Sequence, residues 1–288
     1  MSISVHTNKS ALIALQNLNQ TNDEMGVVQS HINTGLKIAN ARDNAAVWSI
    51  AQNQRADIGA LGAVSMSLDR ASSIAEVSMS AGESVSDLLV QLKEKVVAAM
   101  DTSIDQVSRD ALNSEFKSIL RQIGQVTENA AFDGANLLNG LNGLASGANI
   151  QFLANASASS FITLSSQDMS LAGAGSPDAG TIITISVNAS LDDVATSGAI
   201  LTQLNASIQN VNQALGKLGS QAKQIDSHKD FVSKLTDTLQ TGVGNLVDAD
   251  LAKESAHLQA LQVQQQLGTQ ALSIANQAPQ MILQLFKG

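Results

Sequence analysis

The sequence has no cysteine and no tyrosine, and it carries only two prolines and one tryptophan in 288 residues. Without cysteine there can be no disulfide framework, thiolate metal site or cysteine nucleophile. Aromatic residues make up 2% of the chain against 44% hydrophobic residues. A core must therefore be built from Leu, Ile, Val, Ala and Met, side chains that suit helices packed along narrow seams. Basic residues are scarce as well: 16 Lys+Arg against 25 Asp+Glu leave a net charge of -9. With no basic run to meet phosphates or anionic lipid headgroups, neither nucleic acid binding nor membrane insertion is expected. No apolar run reaches the roughly 18 residues of a membrane-spanning helix. Residues 1–10 lack the basic flank and apolar stretch of a conventional signal peptide, so export is expected by another route.

What the chain has in abundance is helical periodicity. Ala11, Leu15, Leu18, Met25, Val28, Ile32, Leu36 and Ala39 recur at steps of three or four, an amphipathic helix interrupted by Gly35. After a polar stretch, Val47, Ile50, Leu61, Val64, Leu68, Ala71, Ala75, Val85, Leu89, Leu92, Val96 and Ala99 share one heptad-like register. Gln54, Asp57, Ser78 and Gly82 stand in its missing turns. Leu112, Phe116, Ile119, Ile123, Val126 and Ala130 predict a third helix starting near Ser108 or Asp110, and Asp133-Gly134 reads as a turn.

The texture changes over residues 141–190, where Asp168 and Asp178 are the only charges and small polar residues dominate. Short strands are predicted at 150–153, 161–164 and 181–187, with a loop at 173–177. Helical order then returns with the steps of Leu201, Leu204, Ile208, Val211, Leu215, Leu218, Ala222 and Ile225, and resumes at Val232, Leu235 and Leu239. Gly242 and Gly244 are expected to loosen the chain before a last helix. That helix carries two apolar seams: Leu267, Ala271, Ile274, Ala278, Met281 and Leu285 on one, and Leu251, Leu258, Leu261, Leu272 and Ile282 on the other. Two seams need two sets of neighbours, and identical copies meeting through different faces can extend into an open helical filament.

Signals of catalysis are weak. His6, His31, His228 and His257 have no partners at metal-ligand spacing, and Gly216-Lys217 is followed by Leu218 inside an unbroken heptad rather than by the hydroxyl of a phosphate loop. Asp248 and Asp250 are placed to cap the last helix. Arg42-Asp43 could pair or simply be solvated. No cofactor is implied, and the chain reads as a structural protein rather than an enzyme.

The ends resemble bacterial flagellin over roughly residues 2–140 and 201–288. Thr34-Gly35-Leu36-Lys37-Ile38-Ala39-Asn40-Ala41-Arg42-Asp43-Asn44-Ala45-Ala46 resembles the family stretch S-G-L-R-I-N-S-A-K-D-D-A-A. Phe132-Asp133-Gly134-Ala135-Asn136-Leu137-Leu138 resembles F-N-G-x-x-L-L, and residues 265–280, from Gln265-Gln266-Leu267-Gly268 to Ala275-Asn276-Gln277-Ala278-Pro279-Gln280, resemble Q-Q-A-G-x-x-x-L-x-x-A-N-Q-x-P-Q. Where the family has Gly after D-A-A this chain has Val47-Trp48. The family's receptor-recognition stretch Q-R-V-R-E-L aligns with Val90-Gln91-Leu92-Lys93-Glu94-Lys95, so Gln91, Lys93, Glu94 and Lys95 mark altered recognition positions.

The resemblance implies a mainly α, elongated antiparallel bundle of long helices from both chain ends, with a small β-hairpin region in the middle. It divides the chain into an inner-tube helix and link (1–46), a helical second layer (47–140 and 201–246), a short outer segment (141–200) and a C-terminal inner-tube helix (247–288). The implied function is a self-assembling subunit of the extracellular flagellar filament; the alternative is a hook-filament junction protein of the same helical family. Implied partners are further copies of the chain, hook-associated junction and cap proteins, and the flagellar export chaperone and type III export apparatus. The assembly seam is assigned to Leu15, Leu18, Met25, Val28, Ile32, Leu258, Leu261, Leu267, Ala271, Ile274, Met281 and Leu285, and the inter-layer link to Gly35, Arg42 and Asp43.

Overall fold

The computed structural model describes residues 8–140, 149–173 and 181–285, without the side chains of 278–285. Asn8 begins the first helix: its side-chain oxygen accepts the Ala11 N–H at 3.1 Å, satisfying one of the donors that a helix start leaves open. Helix α1 (Lys9–Thr34) ends at Gly35, whose φ of 71° is the left-handed conformation that closes helices at little cost only for glycine. Asn44 caps α2 (Ala45–Ala99) through its bond from the Val47 N–H at 3.1 Å. Asp105 caps α3 (Gln106–Asn129), so that helix starts before the expected Ser108 or Asp110, because the aspartate carboxylate takes the Ser108 N–H at 2.9 Å. Strands β1 (Ala131–Phe132) and β2 (Ala135–Asn136) pair around the expected Asp133-Gly134 turn. Both turn residues have positive φ, 50° and 75°, as a type I′ turn requires. Strands β3 (Ile150–Leu153) and β4 (Phe161–Leu164) form an antiparallel pair with Phe152 opposite Ile162. The chain finishes with α4 (Val194–Val247) and α5 (Leu251–Leu285).

The fold is thus mainly helical with two small antiparallel strand pairs in the middle. Two expectations are corrected. Residues 181–187 do not form a strand: Ile183 and Ile185 are buried as the alternation predicts, Val187 at the same spacing is exposed, and their backbone groups bond elsewhere. Thr184 N–H goes to the Ser207 hydroxyl at 3.0 Å and Ile182 N–H to the Asp168 carbonyl at 2.7 Å, leaving one bridge between Ala172 and Ser186. Gly242 and Gly244 do not break the helix either, since α4 continues through both to Val247. Packing overrides the modest cost of glycine in a helix. The expected loop at 173–177 lies, apart from Gly173, outside the described residues.

The chain divides into two compact units, one from the described parts of Met1–Ala56 and Asp237–Gly288, the other from Asp57–Thr236. In the second unit the α2 register holds from Leu61 to Ala99 without a miss. Ser78 and Gly82 are buried in it, Ser78 returning its hydroxyl to the Ile74 carbonyl at 2.7 Å. A Cβ on Gly82 would lie 2.7 Å from the Leu215 side chain, so this glycine leaves room for α4 to pack closely against α2. On α4, Leu204, Val211, Leu218 and Ile225 are buried as predicted. Between them, however, Ser207 and Ala214 are deeper than Ile208 and Leu215. The β3–β4 hairpin is fastened to both helices: Leu153 N–H donates to the Ser67 hydroxyl at 3.1 Å, and the His228 Nε2 lies 2.6 Å from the Ala154 carbonyl.

Two side chains close helix ends in this unit. The Arg109 guanidinium, almost fully buried, donates to the Ala99 and Asp101 carbonyls at the end of α2, where a cation also meets the negative end of the helix dipole. Asn136, 3% exposed, donates to the Thr127 and Glu128 carbonyls at 2.8 and 3.2 Å and accepts the Leu138 and Asn139 N–H groups at 2.7 and 3.2 Å. One buried amide therefore both ends α3 and holds the turn that follows.

Candidate assembly interface

In the first unit α1 and α5 pack antiparallel. Asn8 donates to the Ala275 carbonyl at 2.7 Å, Gln265 donates to Asn22 at 2.7 Å, and Ala249 N–H reaches the Gly35 carbonyl at 2.9 Å. The contact face of α1 follows a three-four rhythm through Ala11, Ala14, Leu18, Thr21, Met25, Val28 and Ile32. That of α5 runs through Glu254, Leu258, Leu261, Gln265, Gly268, Leu272 and Ala275. Among the described side chains only Val28 and Leu261 are buried between them.

Among the described residues, more than half of the large apolar side chains of this pair are exposed. Leu12, Ile13, Leu15 and Val27 on α1 and Leu251, Val263, Leu267 and Ile274 on α5 are all exposed, Leu267 by 60% and Ile274 by 63%. Two shallow grooves run along one side of the hairpin. Ile13, Ala14, Asn17, Ala271 and Ile274 line one; Asn17, Gln20, Glu24, Gln264 and Leu267 line the other. An arrangement with more exposed than buried large apolar groups adds little stability to a lone hairpin and has the character of an interaction surface.

The sequence-assigned seam therefore falls on two surfaces. Leu18, Met25, Val28, Ile32, Leu258 and Leu261 face within the hairpin, whereas Leu15, Leu267, Ala271 and Ile274 face outward. The side chains of Met281 and Leu285 lie outside the described residues. On α2 the expected Ile50 is exposed, and so is Asp57. Ala51 is buried instead, because the packed face before Leu61 runs through Val47, Ala51, Gln54 and Ile58.

The links between helices are tied to each other. Lys37 and Ile38 both donate to the Val247 carbonyl, at 2.7 and 3.2 Å, and Leu36 bridges Asp248. Asp43 folds the first link: its Oδ2 accepts the Ala39 and Asn40 N–H groups at 2.9 and 3.1 Å. Those N–H groups, Asn40 first and Ala39 next, hold the Asp43 carboxyl below the ordinary aspartate range. Arg42 is exposed and forms no ion pair with it. Asp250, as expected of a cap, accepts the Ala252 and Lys253 N–H groups at 3.0 and 3.1 Å. None of these inter-link bonds had a sequence signal beyond the resemblance, since backbone pairing across some two hundred residues leaves no periodic mark.

Of the altered recognition positions, Gln91, Lys93 and Glu94 lie exposed on α2 around a buried Leu92. Lys95 pairs with Glu115 of α3 at 2.7 Å, a hydrogen bond that raises the lysine's pKa. No group of His, Cys, Asp and Glu able to hold a metal is present among the described residues. No described helix is long and apolar enough to cross a membrane.

A chain whose two ends pair as helices and leave their apolar faces outward has the form of an interaction module. Comparison with known proteins gives the family. The N-terminal helical region of bacterial flagellin matches residues 5–143 and its C-terminal helical region residues 201–286. The chain is 52% identical to flagellin FljJ of Caulobacter vibrioides over the full length of both, and 40% identical to a flagellin of Brucella melitensis over 99% of each. A solved structure described as a flagellar hook-associated protein from Vibrio parahaemolyticus shares the fold, with a TM-score of 0.57 and 14% identity over 72% of this chain and all of that one. The chain belongs to the bacterial flagellin family, and it is a structural subunit of the flagellar filament.

Proposed function

We propose that this flagellin polymerises through the outward faces of the α1/α5 hairpin, with Leu15, Leu267, Ala271 and Ile274 buried against neighbouring copies and Met281 and Leu285 continuing that seam. The observation that carries the reading is the inverted apolar distribution: among the described residues, two buried side chains in the hairpin against eight large exposed ones. Leu18, Met25, Val28, Ile32, Leu258 and Leu261 serve the same assembly by holding α1 to α5. Residues 1–46 and 247–288 would form the inner tube, 47–140 and 201–246 the layer around it, and 141–200 the outer surface. The paired links at Gly35–Asp43 and Val247–Asp250 would join tube to layer.

The protein works without catalysis or cofactor, outside the cell, after passage through the flagellar export apparatus with its chaperone. Its other contacts are the hook-associated junction and cap proteins at the two ends of the filament. The loss of the arginine and apolar groups at Gln91 and Lys95 weakens recognition by an animal receptor that reads this stretch.

The seam is tested by seeded polymerisation and sedimentation. Leu267→Asp or Ile274→Asp would bury an unpaired carboxylate at the interface and should raise the subunit concentration left in solution by more than about tenfold. Secretion of the variants should continue. Filaments forming from either at the wild-type concentration would reject the outward seam.

A further inference from the structure

The 57–236 unit carries unpaired charges of opposite sign on two different surfaces. On α2, Glu83 and Asp87 stand one turn apart, both exposed and in no ion pair among the described residues. Glu76 and Glu94, two turns out to either side, extend the same acidic face. On α3, Lys117 and Arg121 are also one turn apart, exposed, and in no ion pair among the described residues.

Helix geometry sets the cations on the far flank of α3. This helix buries Phe116, Leu120, Ile123 and Thr127. At about 3.6 residues per turn, Glu115 and Val126 lie to one side of that buried face and Lys117 and Arg121 to the other. Glu115 reaches Lys95 of α2 at 2.7 Å, and Val126 shares a groove with Val77 and Ala81 of α2. Lys117 and Arg121 therefore stand on the flank away from that contact.

The two surfaces match in spacing, charge and relief. Each pair is four residues apart, about 6 Å along its helix, so two carboxylates can meet two cations where one helix crosses another. One turn beyond Asp87, Val90 is 56% exposed. One turn beyond Arg121, Gly124 has nothing within 4 Å of where a Cβ would lie, which leaves the α3 surface low at that point. Helices that cross diverge away from the crossing, so Asp110 and Glu128, two turns out from Lys117 and Arg121, lie beyond the contact.

We propose that neighbouring copies of the chain meet through these two flanks, Glu83 and Asp87 of one copy against Lys117 and Arg121 of the next, as a second contact besides the α1/α5 seam. The inference rests on the self-assembly proposed above. Acid and base lie on different surfaces, so the contact is heterologous: every copy offers both halves, and the contact repeats from copy to copy. Exposed charges of this kind act mainly by fixing which surfaces meet.

The test measures the subunit concentration in equilibrium with seeded filaments for the full chain and two charge-reversed variants. One carries Glu83→Lys with Asp87→Lys, the other Lys117→Glu with Arg121→Glu. Each variant alone sets like charges against each other and should raise that concentration by about fivefold or more. In an equimolar mixture each reversed surface meets a surface of opposite sign, and the concentration should return to within about twofold of the wild type. A folding defect would not be rescued by mixing, so the mixture separates the contact from a structural role. An unchanged concentration in either variant, or a mixture no better than its components, overturns the contact. Failure of the wild type to polymerise would instead overturn the assembly reading itself.

Discussion

Asn136 shows how much a single residue can settle here. Its amide makes four hydrogen bonds while buried, ending α3 with its nitrogen and holding the Leu138 and Asn139 backbone with its oxygen. Replacing it by alanine leaves two helix carbonyls and two N–H groups without partners in the interior. Asn136→Ala is expected to destabilise the 57–236 unit by about 2 to 4 kcal/mol, measured as a lowered thermal midpoint by circular dichroism. Neither Asn136 nor Arg109 was legible as a structural residue. In sequence, Asn136 looks like turn punctuation and Arg109 like one of many surface charges, because what each satisfies is a helix end brought to it by tertiary folding. Gly35, by contrast, was legible: a lone glycine after a long amphipathic run is a common helix stop, and its φ of 71° requires it.

Periodicity made the helices readable because each buried face repeats at steps of three and four. The α2 register from Leu61 to Ala99 was visible in full, including the turns occupied by Ser78 and Gly82. The register failed where polar residues are buried and apolar ones exposed. Ser197 and Ser207 sit on the packed face of α4, with their hydroxyls returned to the Asp193 and Gln203 carbonyls at 2.8 Å each, and apolar spacing passes over them. The alternation of Ile183, Ile185 and Val187 gave the right buried side for the two isoleucines but not for Val187, and it gave the wrong element, because alternation does not report which groups take the backbone bonds.

The caps carry an element-level prediction. Asp105 and Asp193 start α3 and α4. Ser108, through its hydroxyl and then its N–H, holds Asp105 below the usual aspartate range; Thr196, through its N–H first, does the same for Asp193. Lowered carboxylates add stability that is present above the unfolded-state pKa and lost as pH falls through the folded one. Helicity followed by circular dichroism should therefore fall on acidification below about pH 4. An Asp105→Asn, Asp193→Asn variant, which keeps the capping oxygens but does not titrate, should lose helicity less steeply; an unchanged acid transition would remove these caps from the cause.

For the molecule as a whole, the sequence pointed to two helical ends and a different middle, and the resemblance of those ends supplied the inference that they meet. Which face of α1 meets which face of α5 was not legible, since both helices carry apolar residues on more than one side, and the assigned seam accordingly mixes inward Leu18, Val28 and Leu261 with outward Leu15, Leu267 and Ile274. The proposed assembly accounts for that mixture: in a subunit completed by its neighbours, intramolecular and intermolecular contacts are both apolar, and only a folded chain separates them.

The central claim, that the faces left open by α1 and α5 are closed by other copies of the chain, is tested most directly by helical reconstruction of seeded filaments by electron microscopy, beside the same chain lacking residues 251–288. The account predicts filaments from the intact chain alone, with Leu267 and Ile274 buried against side chains of neighbouring subunits. Filaments in which both residues still face solvent, or filaments formed equally well by the truncated chain, would contradict it.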